Sequence, residues 1–308
     1  MRIYPGIALV LGLSTSLVLS GCSIKKFAVD KVGDALAAGG STWESDDDIA
    51  LVGEALPFSL KLVESLLAQS PKHRGLLQVA CQGFTTYSYA YVQHEADVVS
   101  EVDFDAAREM RQRTRRLYLR AFGYGLRGLE ISDPELGDHL QSAPADAVAA
   151  LTEEKDVPLM YWTAASLGLA ISVSKDSAAL LARLPEAQAL VDRALELDAA
   201  WGDGSLYEFR LTLDAAAPGP KNYKTMREDY ERALELSGGS RASLFVAYAE
   251  AVSIPRQDVE EFRGLLDRAL TIDPDADVEI RLPNLIAQRR ARLLLDRIED
   301  HFLELEAS

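Results

Sequence analysis

Several groups of residues have the types and spacing that could do chemistry. Gly123-Tyr124-Gly125-Leu126-Arg127-Gly128 carries the glycine pattern of a dinucleotide-binding turn. That turn works where a strand runs into a helix N-terminus, so that backbone amides meet a pyrophosphate. Here the string continues the helical run from Met110 to Ala121, which predicts a close contact between helices instead. Asp273, Asp275 and Asp277 begin like a calcium loop, but Val278 and Asn284 stand where the loop needs a turning glycine and a bidentate glutamate. His73, His94, His139 and His301 are scattered, with neither an H-E-x-x-H pair nor the cysteine pairs of a zinc site. No G-x-S-x-G elbow offers a serine nucleophile. Adjacent carboxylates such as Glu153-Glu154 and Glu260-Glu261 point about 100° apart on a helix and form no acid-base dyad. These patterns make no case for an enzyme and call for no cofactor or metal.

Two other groups suit binding. Arg108, Arg111, Arg113, Arg115, Arg116 and Arg120 make a basic patch on one helical segment. In an acidic body, ion pairing within the chain is its first reading; an acidic partner or an anionic ligand is the second. The stretch "GFTTYSYAYVQHEAD", Gly83 to Asp97, packs Phe84, Tyr87, Tyr89 and Tyr91 closely together. On a helix, Phe84, Tyr87 and Tyr91 share a face with Ala80, and Tyr89 falls on another flank. One side can pack while the other lines a cavity. Tyrosine suits such a lining, since its ring supplies apolar area and its hydroxyl finds a polar partner. Tyr161, Trp162, Trp201 and Tyr207 join the ligand-lining candidates, with Tyr87, Tyr91 and Trp162 placed first.

The elements that must position these residues are helical. The chain has 308 residues, net charge −16 and 48% hydrophobic residues, enough for a real core and too apolar for disorder. The acidic balance disfavours nucleic acid, whose phosphates it would repel. Residues 1–21 read as a secretory signal: a basic start, an apolar run from Ile7 to Leu19, then small residues. The ending Leu19-Ser20-Gly21-Cys22 resembles a bacterial lipobox, so Cys22 is expected to be acylated and to anchor the protein to a membrane without crossing it. Ser23 after it, where an Asp would favour inner-membrane retention, points to the periplasmic side of the outer membrane. Residues 22–45 form a tether with a short amphipathic helix, and residues 46–308 a single all-α domain. Cys81, without a disulfide partner, is expected in the core.

Helical runs after Asp46 are broken at Ser70-Pro71, Ser132-Asp133-Pro134, Pro144, Pro158, Trp201 to Gly204, Pro218-Gly219-Pro220, Gly238-Gly239, Pro255 and Pro274. The pieces repeat. "DRALELDAAWGD" from Asp192, "ERALELSGGSRA" from Glu231 and "DRALTIDPDADV" from Asp267 start 39 and 36 residues apart. That is close to the period of about 34 of tetratricopeptide helical hairpins, which stack to bury a shared core and leave an inner surface. A stacked solenoid or compact superhelix is the expected architecture.

Blocks along nearly the whole mature chain carry a further resemblance. They run "ALPFSLKLVESLLAQSPKHRGLLQVACQGFTTYSYAYVQ" from Ala55, "LYLRAFGYGLRGLE" from Leu117, "PLMYWTAASLGLAISVSKD" from Pro158, the repeats above, and "LPNLIAQRRARLLLDRIEDHF" from Leu282. In this order they resemble the T component of tripartite ATP-independent periplasmic (TRAP) transporters, the TatT lipoproteins. The resemblance implies an accessory role with no bond-making chemistry. It implies association with a periplasmic solute-binding protein, the P component, and contact with a hydrophobic or amphipathic small molecule such as an organic acid. It also implies a homo-oligomer, of trimeric kind. The Pro-rich link "DAAAPGPK" from Asp214 departs from the family pattern. Two other readings stay open: a tetratricopeptide scaffold lipoprotein of envelope assembly, and an envelope enzyme on a helical scaffold.

Overall fold

The computed structural model describes residues 29–37 and 41–303, and these are helices and their connections, with no strand among them. Cys22 and the signal lie outside the described residues. Helices α1 (residues 29–37) and α2 (Ser41–Glu44) precede α3 (Ile49–Leu67) and α4 (Arg74–Tyr87). Asp48 caps α3, its carboxylate accepting from the Ala50 and Leu51 amides at 2.9 and 3.0 Å. The acidic run thus starts a helix, as its charge suits.

The Thr- and Tyr-rich stretch is helical but not uniformly so. After Tyr87 the chain widens into a π-turn, π1 (Ser88–Gln93), before α5 (His94–Val99). Helix α6 (Phe104–Leu129) then runs back, capped by Asp103. It packs on α4 and on α9 (Val157–Ser172), with the short α7 (Leu136–Leu140) and α8 (Pro144–Ala149) between. The G-x-G-x-x-G string lies within α6. A Cβ at Gly125 would collide with Thr163 of α9 and the Cys81 sulfur of α4. The glycine lets three helices meet, and no nucleotide turn exists there. Cys81 is fully buried, and burial pushes its thiol up to about 12, so it is an inert core thiol.

After the single turn α10 (Ala178–Leu181), the repeats fall on α11 (Leu184–Leu197), α13 (Tyr223–Ser237) and α16 (Val259–Thr271). Each uses its Arg-Ala-Leu alanine at a buried contact: Ala194, Ala233 and Ala269. They follow α9, α12 (Ser205–Ala216) and α14 (Ala242–Tyr248) respectively, which makes three successive helical hairpins. Between α11 and α12, Gly204 adopts φ 91°, and a Cβ there would lie 2.7 Å from the Ala233 Cα. Helix α14 does not stop at Pro255. It runs through a second π-turn, π2 (Ala249–Ser253), into α15 (Ile254–Arg256) and ends at Gln257, φ 57°. Proline has no N–H for the carbonyl a turn earlier, and the widened turn absorbs that loss.

The last helix, α17 (Arg281–Asp296), packs on α14 and α16, and also on α2 and α3 at the start of the chain. Leu282 and Ile286 of α17 join Val52, Leu56 and Ala90 in a buried apolar seam. Arginines of the C-terminal part then reach across. Arg281 donates to the Ser45 carbonyl at 3.0 Å, and Arg297 to the Asp97 and Val98 carbonyls at 2.6 and 3.0 Å. The stack of hairpins closes on itself. Among the described residues, no helix is long and apolar enough to cross a membrane.

Candidate functional site

Phe84 is core: it is buried on α4, stacked 5.9 Å from Tyr124, with the Arg120 guanidinium 4.9 Å from its ring centre. Tyr87 and Tyr91, one turn apart, stack on each other at 5.7 Å and pack at the seam. Arg113 donates to the Tyr87 hydroxyl at 3.4 Å. Tyr89 packs against the same seam. It keeps part of its surface accessible, yet burial pushes its hydroxyl up to about 12, with Glu250 adding to the effect. Its ring borders a small recess where π1 and α5 meet α17.

Tyr161 lies on α9, packed against the core there. It is half-buried, and burial pushes it up to about 12, with Glu208 contributing. Its ring lies 5.0 Å from Trp162, 4.9 Å from Trp201 and 5.9 Å from Phe209, so three of the sequence candidates form one aromatic group. Tyr207 lies apart, under Arg210 at 5.3 Å.

Charged residues that sequence reasoning had not singled out join these rings. Glu208 accepts from Ser243 at 3.1 Å and lies 3.7 Å from the Arg241 guanidinium. Burial raises its carboxyl above the ordinary value, against the pull of Arg241. Glu44 accepts from Gln82 at 3.0 Å and is likewise raised by burial. Glu250, on π2, and Asp97, on α5, are joined by Arg290 of α17 at 2.6 and 2.8 Å. Burial opposes the Arg290 charge, but Glu250, Tyr89 and Asp97 together raise it above its ordinary value. The two π-turns therefore present Tyr89 and Glu250 toward one electrostatic neighbourhood. Widened turns of this kind often sit at functional sites, because they turn side chains off the regular helical spacing. The only sequence signal for this was the Thr- and Tyr-rich character of the first one.

The remaining motifs have structural roles. Asp277 caps the turn Val278–Ile280, and Asp275 pairs with Arg281 at 2.8 Å. Arg111 pairs with Asp97 at 3.5 Å and Arg120 with Glu64, so part of the basic patch is consumed within the chain. Among the described residues, no group of three or more His, Cys, Asp or Glu side chains is placed to hold a metal ion.

Comparison with known proteins bears on this arrangement. The family described as "TRAP transporter T-component" matches residues 45–302. This chain belongs to that family. Membership makes it an accessory component of TRAP transport, a family that is not one of enzymes. The chain is also similar to a protein of Treponema pallidum (strain Nichols) described as uncharacterized, 28% identical over 310 residues, covering 94% of this chain and 96% of that protein. The all-helical class and the family expected from the sequence blocks are both present.

Proposed function

We propose that this T component is a lipid-anchored accessory, tethered by Cys22 on the periplasmic side of the outer membrane. It docks the soluble P component of its transport system and contacts an apolar or amphipathic ligand. It works as a homo-oligomer, of trimeric kind. The observation that supports the ligand reading is the aromatic group of Tyr161, Trp162, Trp201 and Phe209, with Glu208 adding to the raised Tyr161 hydroxyl. Aromatic rings gathered beside a few charged groups are what a pocket for an amphipathic molecule requires.

The test is recovery of the mature protein, tagged and expressed in its own host, with mass spectrometry of co-purifying protein and extractable small molecules. Recovery of a solute-binding protein, with an amphipathic small molecule lost from a Tyr89→Ala, Tyr161→Ala double variant, is the expected result. Recovery of envelope-assembly factors alone, with no receptor and no small molecule, would return the molecule to the scaffold reading.

A further inference from the structure

The proposed anchor and the first described helix are close together in the chain. From Cys22 to residue 29, where α1 begins, is seven Cα–Cα steps, which reach about 25 Å at most whatever path they take. A lipid on Cys22 therefore keeps the start of α1 near the bilayer.

Helix α1 is fixed to the body along one face. Ser70 donates to the Asp30 carboxylate, and His73 lies 3.3 Å from that of Asp34. A Cβ at Gly33 would lie 2.8 Å from the His73 ring, and one at Gly75 would lie 2.6 Å from that of Ala37, so two glycines let α1 lie against the start of α4. Another face carries Val32 and Leu36, one turn apart and 49% and 37% exposed. Asp34 stands between them in sequence, but it faces Lys31 and His73.

This contact sets α1 at one end of the helical stack. There α3 ends, α4 begins, and α6 arrives beside them: Arg127 donates to the Pro71 carbonyl at 2.9 Å, and Arg74 to the Ser132 hydroxyl at 3.3 Å. Ile131, in the turn after α6, is exposed at the same end. The 26 residues of α6 carry the chain about 40 Å from its other end, farther than the tether reaches. At that far end stands a second exposed apolar group, Val98, Val102 and Phe104, with Val102 86% and Phe104 68% exposed. Glu101, Asp103 and Asp105 alternate with Val102 and Phe104, and seating those side chains in lipid would desolvate the carboxylates between them.

We propose that α1 rests on the bilayer surface through Val32 and Leu36, standing the body on the end where α3 meets α4 and holding the α5–α6 turn away from lipid. The inference rests on the reading that Cys22 is acylated, and it adds which face of the body meets the membrane. Two side chains bind lipid weakly by themselves. Held at the interface by a short tether, they meet it at high effective concentration and set the orientation. Charge adds little to this, since Lys31 and Lys155 at that end are paired with Asp34 and Glu153.

The test places the mature protein, purified from its own host in detergent, on phosphatidylcholine vesicles, whose neutral surface removes attraction by charge. Amide exchange is compared with and without vesicles, and nitroxides on Leu36→Cys and Val102→Cys are compared for collision with a water-soluble nickel complex. Attachment is expected to slow exchange in α1 severalfold and to leave the α5–α6 turn unchanged, with the nitroxide at position 36 severalfold less accessible than the one at 102. The exchange comparison needs no variant and stands even if a labelled protein misfolds. Vesicle-bound protein with α1 unprotected, or with the α5–α6 turn protected in its place, would overturn the orientation and leave the anchor intact. An N-terminal peptide without acyl mass, in a protein that stays off the vesicles, would overturn both.

Discussion

At the scale of single residues, charge and burial are balanced differently at each interior side chain, and at His94 the balance falls in an accessible pH range. Burial comes first among its causes, then Arg289 and Arg290, and together they lower it from 6.5 to about 4. The folded state therefore binds fewer protons than the unfolded chain between these values. Stability that is fully present above pH 6.5 is lost as the pH falls toward about 4. Burial lowers His301 too, in the same direction. Denaturant unfolding as a function of pH should show the His94 and His301 contribution as stability falling across that window, offset in part by Glu44 and Glu208, whose buried carboxyls are raised and act in the opposite sense. His94→Gln should flatten the slope in part, leaving the His301 share; an unchanged slope would show that His94 is not held neutral by its surroundings. At this scale the sequence was partly legible. The helical wheel set Tyr89 apart from the Tyr87 and Tyr91 pair, yet all three pack against the seam of Val52, Leu56, Ala90, Leu282 and Ile286. Arg289 carried no signal, because its contacts with the Ala90 carbonyl and the Tyr91 ring are made to an element about 200 positions away in sequence.

At the scale of elements, boundaries follow local chemistry closely. Asp48, Asp103, Asn222 and Asp258 each accept an amide at the start of a helix, and Gly238 ends α13 in the left-handed region. Two glycines separate local conformation from helix propensity. Gly204 combines φ 91° with the approach of the Ala233 backbone, so Gly204→Ala should cost about 2 kcal/mol or more. Gly264 lies inside α16 with open space around its Cα, and Gly264→Ala should stabilise by about 0.5–1 kcal/mol. Chemical denaturation of both variants tests the pair, and equal effects would refute the assignment. The π-turns were the part that spacing did not foresee. An extra residue in a turn costs backbone hydrogen bonding that groups outside the turn restore. Here Arg289 donates to the Ala90 carbonyl of π1, and the Asp258 amide donates to the Ser253 carbonyl of π2 at 3.0 Å.

At the scale of the whole molecule, the closing contact of α17 on α3 and π1 is what turns a row of hairpins into an enclosed arrangement. It joins residues about 200 positions apart, with Arg290 to Asp97 as its central ion pair and Ile286 in its apolar seam. Such contacts carry a large loop-closure cost and gain nothing until the intervening helices are in place. Ile286→Ala should cost about 2–3 kcal/mol through lost burial and the cavity left behind. Its signature should be local: amide exchange in α3 and π1 should rise more than in α11 and α12. A uniform rise would mean that the seam is not a separable closure.

The sequence by itself determined the helical class, most hairpin boundaries, the repeat and the family, because each is written in short-range periodicity, capping residues and ordered blocks. It also marked Gly83 to Asp97 as two-sided. Only the tertiary structure decided that Tyr161 gathers Trp162, Trp201 and Phe209, and that Arg290 joins Glu250 to Asp97. Those facts depend on which distant surfaces meet, and a helix of given periodicity packs equally well against many partners until the rest of the chain selects one.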